Sequence, residues 1–158
     1  MKLNSWKIEY NLNNGIIPIG NNTGGSFMID QALLCLAQTI FMESSSATEK
    51  REAQIGVGYV LMRRADFDPQ QVCYEMKKPY QFSWYGKVKP PEPKKIDPYY
   101  LDLAYRIMHK LEPDYSQGAT NFHDTSISKP QSWFKLKKTV QWSHMIFYKM
   151  EETKYAQY

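Results

Sequence analysis

The sequence predicts an α+β fold that is mainly helical, with a small strand-and-loop element following the helices. Two observations carry this expectation. Between Ile29 and Glu112, apolar residues recur at helical spacing in successive blocks, each ended by Ser, Gly or Pro signals. After Pro113 the texture changes to short apolar pieces between polar turns. A chain of 158 residues is one domain's worth and long enough to bury a core. The expected organisation is an extended N-terminal arm packed on the domain (1–27), a body (28–150) and a C-terminal tail (151–158).

In the arm, Ile8-Glu9-Tyr10 reads as a strand, while Asn13-Asn14-Gly15 and Asn21-Asn22-Thr23-Gly24-Gly25 are turn chemistry. Ile29, Leu33, Leu36, Ala37 and Ile40 then mark a helix from Ile29 or Asp30 to Met42, ending on Glu43. Ser46-Ala47-Thr48-Glu49 matches a capping box, which gives Glu49 a structural role, and a second helix follows to about Arg64. Ala53, Ile55, Val57, Tyr59, Val60, Leu61 and Met62 wrap most of that helix, so it is expected at the centre of the core, with Gly56 and Gly58 admitting a close neighbour. Pro69 suits the first turn of a short helix through Met76. Tyr80 to Gly86 is a non-periodic aromatic cluster, and Lys89 to Lys95 a stiff exposed loop. Asp97-Pro98 starts a helix whose face, Leu101, Ala104, Tyr105, Met108 and Leu111, runs to Glu112. Gly118 to Asp124, the loop around Pro130 and Trp133, and Thr139 to Met150 read as short strands and loops.

The net charge of +4 is a mild bias toward anionic partners and lacks the basic stripe of a nucleic-acid reader. Aromatic residues, at 15%, exceed what a core of this size needs, so some are expected to line a groove where sugar rings or bases would stack. Cys35 and Cys73 fall in apolar helical patterns and read as buried thiols. Met1 to Asn14 has no apolar stretch of signal-peptide length, and no run approaches the roughly 18 residues of a membrane span. The expectation is synthesis in the cytoplasm without a signal peptide.

Glu43 is the principal candidate for chemistry. A helix C-terminus and the neighbouring Phe41 and Met42 both disfavour a carboxylate, the environment that keeps a glutamic acid protonated and ready to donate. His123, Asp124 and His144 could join Glu43 in a zinc site of the amidase kind, but their spacing lacks the close metal pair of H-E-x-x-H or C-x-x-C, so no metal and no cofactor is expected. His109 falls on a helix surface. A cysteine nucleophile is set aside because both thiols lie inside helical apolar patterns. Gly118-Ala119-Thr120-Asn121-Phe122-His123 offers a tight turn and then polar residues at alternate positions, suited to a strand beside a cleft.

Five stretches together resemble the SleB-like cell wall hydrolases, spore-cortex and phage enzymes related to lysozyme-like lytic transglycosylases. They are Thr39-Ile40-Phe41-Met42-Glu43, Val60-Leu61-Met62-Arg63, Gln81-Phe82-Ser83-Trp84, Gly118 to His123, and His144 with Phe147-Tyr148. The chain differs from the family pattern in having Met42 before the Glu, Ser44-Ser45-Ser46-Ala47 after it, and Met145-Ile146 between His144 and Phe147. The resemblance implies a lysozyme-like domain over 28–150, with a glycan groove between the helical body and the strand element. Glu43 would be the general acid that cuts the bond between N-acetylmuramic acid and N-acetylglucosamine, then the base that closes a 1,6-anhydro ring. It further implies sugar contacts through Gln81, Ser83, Thr120 and His123, stacking on Phe82, Trp84 and Trp133, and a closing motif at His144 and Tyr148. The implied partner is the glycan strand of peptidoglycan, bound by a monomer with no nucleic acid and no stable membrane insertion. The implied setting is a phage endolysin released through a holin, or a virion-borne lysin. A hydrolytic muramidase using Asp124 or Glu49, a zinc amidase, and an inactive glycan-binding module stand as alternatives.

Overall fold

A computed structural model describes residues 7–11, 15–19, 31–46, 48–79 and 81–151. The arm contains an antiparallel hairpin, β1 (Lys7–Asn11) and β2 (Gly15–Ile19), with Glu9 opposite Ile17. Its packing on the domain, the start of the first helix at Ile29 or Asp30, and residues 152–158 of the tail lie outside the described residues. Among the described residues the body has four α-helices, α1 (Gln31–Ser44), α2 (Arg51–Arg64), α3 (Pro69–Lys77) and α4 (Pro98–Met108). Three strands follow, β3 (Asn121–Asp124), β4 (Leu136–Trp142) and β5 (Met145–Met150), in one antiparallel sheet of order β3-β5-β4. The fold is thus α+β and mainly helical. No helix among the described residues is long and apolar enough to cross a membrane.

Helix α2 is the centre of the body, as its all-round apolar sequence predicts, with every residue from Ala53 to Met62 buried. Its two glycines are there for contact. A Cβ at Gly56 would come within 2.6 Å of Phe147 Cζ on β5, and one at Gly58 within 2.5 Å of Ile107 Cδ1 on α4. A larger apolar cluster fills the space between the helices, and a smaller one, including Val57, Val60, Ala119, Met145 and Phe147, joins α2 to the sheet. Phe122 packs against both.

Asp68 and Asp97 cap α3 and α4 by accepting from the backbone N–H of Gln70 and Tyr99, each at 2.9 Å, with Pro at the first position. Three expectations are corrected. The capping box does not form: the residue before α2 is Lys50, with no side-chain cap, and the Ser46 hydroxyl pairs with Thr48 Oγ1 at 3.0 Å instead. Helix α4 stops at Met108 rather than Glu112. Lys110 takes a positive φ of 53°, and Leu111 N–H returns to Arg106 O at 2.8 Å while Lys110 N–H returns to Ile107 O at 3.0 Å, a Schellman ending that leaves Leu111 exposed. Cys35 and Cys73 are not thiols but a disulfide, because the crossing of α1 and α3 brings their Cα atoms to 5.4 Å across 38 residues of sequence.

Candidate functional site

Glu43 lies in the last turn of α1, and the surrounding elements hold that turn in place. Ser44 O accepts from Gln54 Nε2 of α2 at 3.0 Å, and Gln54 Oε1 in turn accepts from the Tyr99 hydroxyl at 2.6 Å. The disulfide anchors the same helix to α3 two turns earlier. One orphan carbonyl of the α1 terminus, Ser44 O, is thereby met from α2, and Tyr99 of α4 braces the donor. The end of the helix cannot fray without breaking buried contacts.

Burial is the main influence on the Glu43 carboxyl and pushes it up to about 7, while the Trp84 indole N–H and the Arg64 guanidinium oppose it. Arg64 ends α2, donates from Nε to Thr120 O at 2.7 Å, and lies with its guanidinium carbon 5.7 Å from the Phe82 ring centre. Burial lowers it from its ordinary value, and Glu75 and then Glu43 act in the opposite sense. Glu75, itself buried, bonds Lys78 and accepts from Gln81 Nε2 at 3.3 Å. A row of alternating charge, Glu43, Arg64 and Glu75, therefore runs beneath the Gln81 to Trp84 segment. Neither Arg64 nor Glu75 was singled out in the sequence. The available signal was a second arginine directly after Arg63 at the end of a buried helix.

The remaining sequence candidates divide into three groups. Gln81 and Thr120 are half-buried and Ser83 is exposed; Gln81 bonds Glu75, and Thr120 O accepts from Arg64. Phe82 and Trp84, expected as stacking faces, are interior residues at 5% and 6% exposure, with Phe82 6.4 Å from both the Trp84 and Phe122 ring centres. His123, Tyr148 and Trp133 form a separate cluster. In the β3–β5 register Phe122 faces Phe147 and Asp124 faces Met145 on the helix side, so His123 and Tyr148 fall on the opposite face of the sheet. There His123 Nδ1–H donates to Asp124 O at 2.8 Å, Nε2 accepts from the Tyr148 hydroxyl at 2.9 Å, and the two rings stack with centres 5.4 Å apart. Trp133 packs on both.

Asp124 and the exposed His144 meet Glu49 at the end of the sheet nearest the loop between α1 and α2, where Ser143 Oγ also donates to Thr48 O at 3.1 Å. Burial raises Glu49 from its ordinary value, against His144, and its Oε1 is buried without a hydrogen-bond partner among the described residues. Asp124 is held below the usual carboxylate value by the Ser126 backbone N–H and hydroxyl. Among the described residues no group of three or more His, Cys, Asp and Glu is gathered as metal ligands. His109 is exposed at the end of α4, stacked near Tyr105.

Comparison with known protein families matches residues 48–148 to the family described as Cell Wall Hydrolase. The chain belongs to the cell wall hydrolases. The match spans almost two thirds of the sequence and includes α2, the Gln81 to Trp84 segment and the sheet up to Tyr148 of β5; Glu43 lies five residues before it. No curated protein and no solved structure matches the hydrolase. Membership makes peptidoglycan the substrate class, as the five sequence stretches implied.

Proposed function

We propose that this hydrolase cuts the glycan strand between N-acetylmuramic acid and N-acetylglucosamine as a lytic transglycosylase, with Glu43 as its acid and then its base. The observation that carries this reading is the Glu43 carboxyl, raised to about 7 by burial, with no second carboxylate among the described groups that act on it. Glu43 gives its proton to the glycosidic oxygen, which keeps the electron pair of the breaking bond to the anomeric carbon. The muramic 6-hydroxyl then bonds to that carbon and passes its proton to the Glu43 carboxylate. An intramolecular hydroxyl held beside the anomeric carbon has a large effective molarity, so one well-placed carboxyl suffices. Gln81 and Ser83, which flank Phe82 in the segment that carries Trp84, and Thr120, whose carbonyl accepts from Arg64, are the sugar contacts this reading favours.

Mass spectrometry of digested, purified peptidoglycan tests it. Muropeptides ending in 1,6-anhydro-N-acetylmuramic acid support the transglycosylase; reducing-end muramic acid rejects it. One observation favours the second outcome. Glu49, released from the expected capping box, carries a buried unpartnered oxygen beside Asp124, the kind of carboxylate that could direct a water in a hydrolytic muramidase. Amidase products, free glycan and free peptide, or binding with no cleavage would remove both glycosidase readings. The disulfide suits a protein that works in an oxidising compartment, which fits action on the wall outside the cytoplasm, as an endolysin or a virion lysin would require.

A further inference from the structure

Trp84 is 6% exposed, and its buried indole Nε1 makes no hydrogen bond of ordinary length and angle among the described residues, although it lies near enough to the Glu43 carboxyl to act on it. Buried indole N–H groups are normally paired, so an unmet one is a cost that the fold sustains for a reason. Packing does not require the polar atom. Phe82 at 6.4 Å and the edge-on Tyr85 at 5.9 Å fix the ring through its apolar surface alone. The group on which this donor acts is the Glu43 carboxyl, and the cation there, Arg64, spends its Nε on Thr120 O. The donor thus stands beside the one atom pair whose charge would change during glycan cleavage.

We propose that Trp84 is a positioning residue whose buried indole N–H is kept open to receive the Glu43 carboxylate when its proton leaves for the glycosidic oxygen. The inference rests on the reading of Glu43 as the acid. While Glu43 is protonated, its carbonyl oxygen accepts from an N–H only as a neutral group does, more weakly than a carboxylate. Once the proton and the bond's electron pair are on the leaving oxygen, the new carboxylate accepts from Nε1 and the stored polar cost is relieved. Such an interaction, stronger after proton transfer than before it, speeds the chemical step rather than substrate binding. An N–H satisfied by a trapped water would be indifferent to the charge on Glu43.

The test follows the assigned Trp84 indole ¹⁵N–¹H resonance of the full chain across pH. It should titrate with a midpoint near 7 and become flat in Glu43→Gln. In Trp84→Phe, which keeps a ring and loses the donor, the Glu43 side-chain ¹³C titration should move to higher pH. The alkaline limb of the activity profile should move with it, and kcat should fall about tenfold to a hundredfold with KM little changed, the range for a hydrogen bond to a charge. An indole resonance blind to pH near 7, or one that titrates equally in Glu43→Gln, overturns the proposal, and neither result requires Trp84→Phe to fold. Full lysis by Glu43→Gln alongside a titrating indole also overturns it, and places the failure in the acid assignment rather than in the contact.

Discussion

Two buried polar clusters lie on opposite faces of the same small sheet, and they differ in how their hydrogen bonds are spent. On the outer face His123 uses both ring nitrogens, one on Asp124 O and one on the Tyr148 hydroxyl, beneath a cover of Trp133. On the helix side Glu43 is desolvated, and the nearby Trp84 N–H makes no hydrogen bond of ordinary geometry among the described residues. In the sequence the histidine stood as a sugar contact and the glutamate as the acid. A satisfied polar group holds a fold together, whereas an unsatisfied buried one carries a cost that a nearby change of charge can relieve.

The contrast is broken most directly at Glu43. Glu43→Gln should lower lysis of purified peptidoglycan by about 10²–10⁴-fold while the circular dichroism spectrum and melting transition remain those of a folded protein, since the shape is kept and the proton is lost. A folded and active Gln variant would move the chemistry elsewhere, with Glu49 the first place to look. Next in size is the tie that holds the helix carrying Glu43. Closing a loop of 38 residues removes about 3–4 kcal/mol of unfolded-chain entropy, so Cys35→Ala with Cys73→Ala should lower stability by that order in urea titrations. A change well under 1 kcal/mol would mean the α1–α3 crossing is fixed by packing alone.

The third effect is a dependence of stability on pH. The folded Glu43 carboxyl titrates at about 7 against an ordinary 4.5, so the folded protein holds a proton that the unfolded chain has released. Its contribution is therefore fully present below about 4.5, is lost as pH rises to about 7, and stays lost above that. The gap corresponds to at most about 3 kcal/mol. Glu43→Gln, which cannot ionise, should accordingly match the wild type near pH 4 and exceed it in stability at pH 8. Equal stability at both values would mean the carboxylate is well solvated where it sits.

Much of the scaffold was legible because it is local. Periodicity marked α1 and α2, Pro69 marked the start of α3, Asp-Pro marked the start of α4, and Gly56 and Gly58 signalled close approach that the Phe147 and Ile107 contacts explain. Glu43 was legible for a related reason, an apolar run that ends on a carboxylate. What stayed hidden depends on how elements cross. The Cys35–Cys73 bond joins two helices whose separate patterns each read as simple burial, and Arg64 and Glu75 belong to the Glu43 neighbourhood only after α2 and α3 pack. The Ser46 to Glu49 match failed because a four-residue motif does not fix where a helix begins; Lys50 precedes α2, and Glu49 is left with other neighbours. The aromatic cluster at Phe82 and Trp84 has no period, so nothing in the sequence said that its rings face inward.

The smallest effect tests the satisfied side of the comparison. His123→Phe preserves a flat ring against Tyr148 but leaves the Tyr148 hydroxyl, in a residue 7% exposed, without its acceptor and Asp124 O without its donor. Unmet buried polar groups of this kind cost about 1–3 kcal/mol, and that loss should be visible as a lower urea midpoint. Adding Tyr148→Phe removes the stranded hydroxyl, so the double variant should recover much of the deficit, a coupling that a merely misfitting ring would not show. Turnover per folded molecule on peptidoglycan should stay at the wild-type value in both variants, because His123 lies on the face of the sheet turned away from the helices. A variant of full stability and lost turnover would bring the outer face, with His123, Trp133 and Tyr148, into contact with the glycan and join the two clusters into one site.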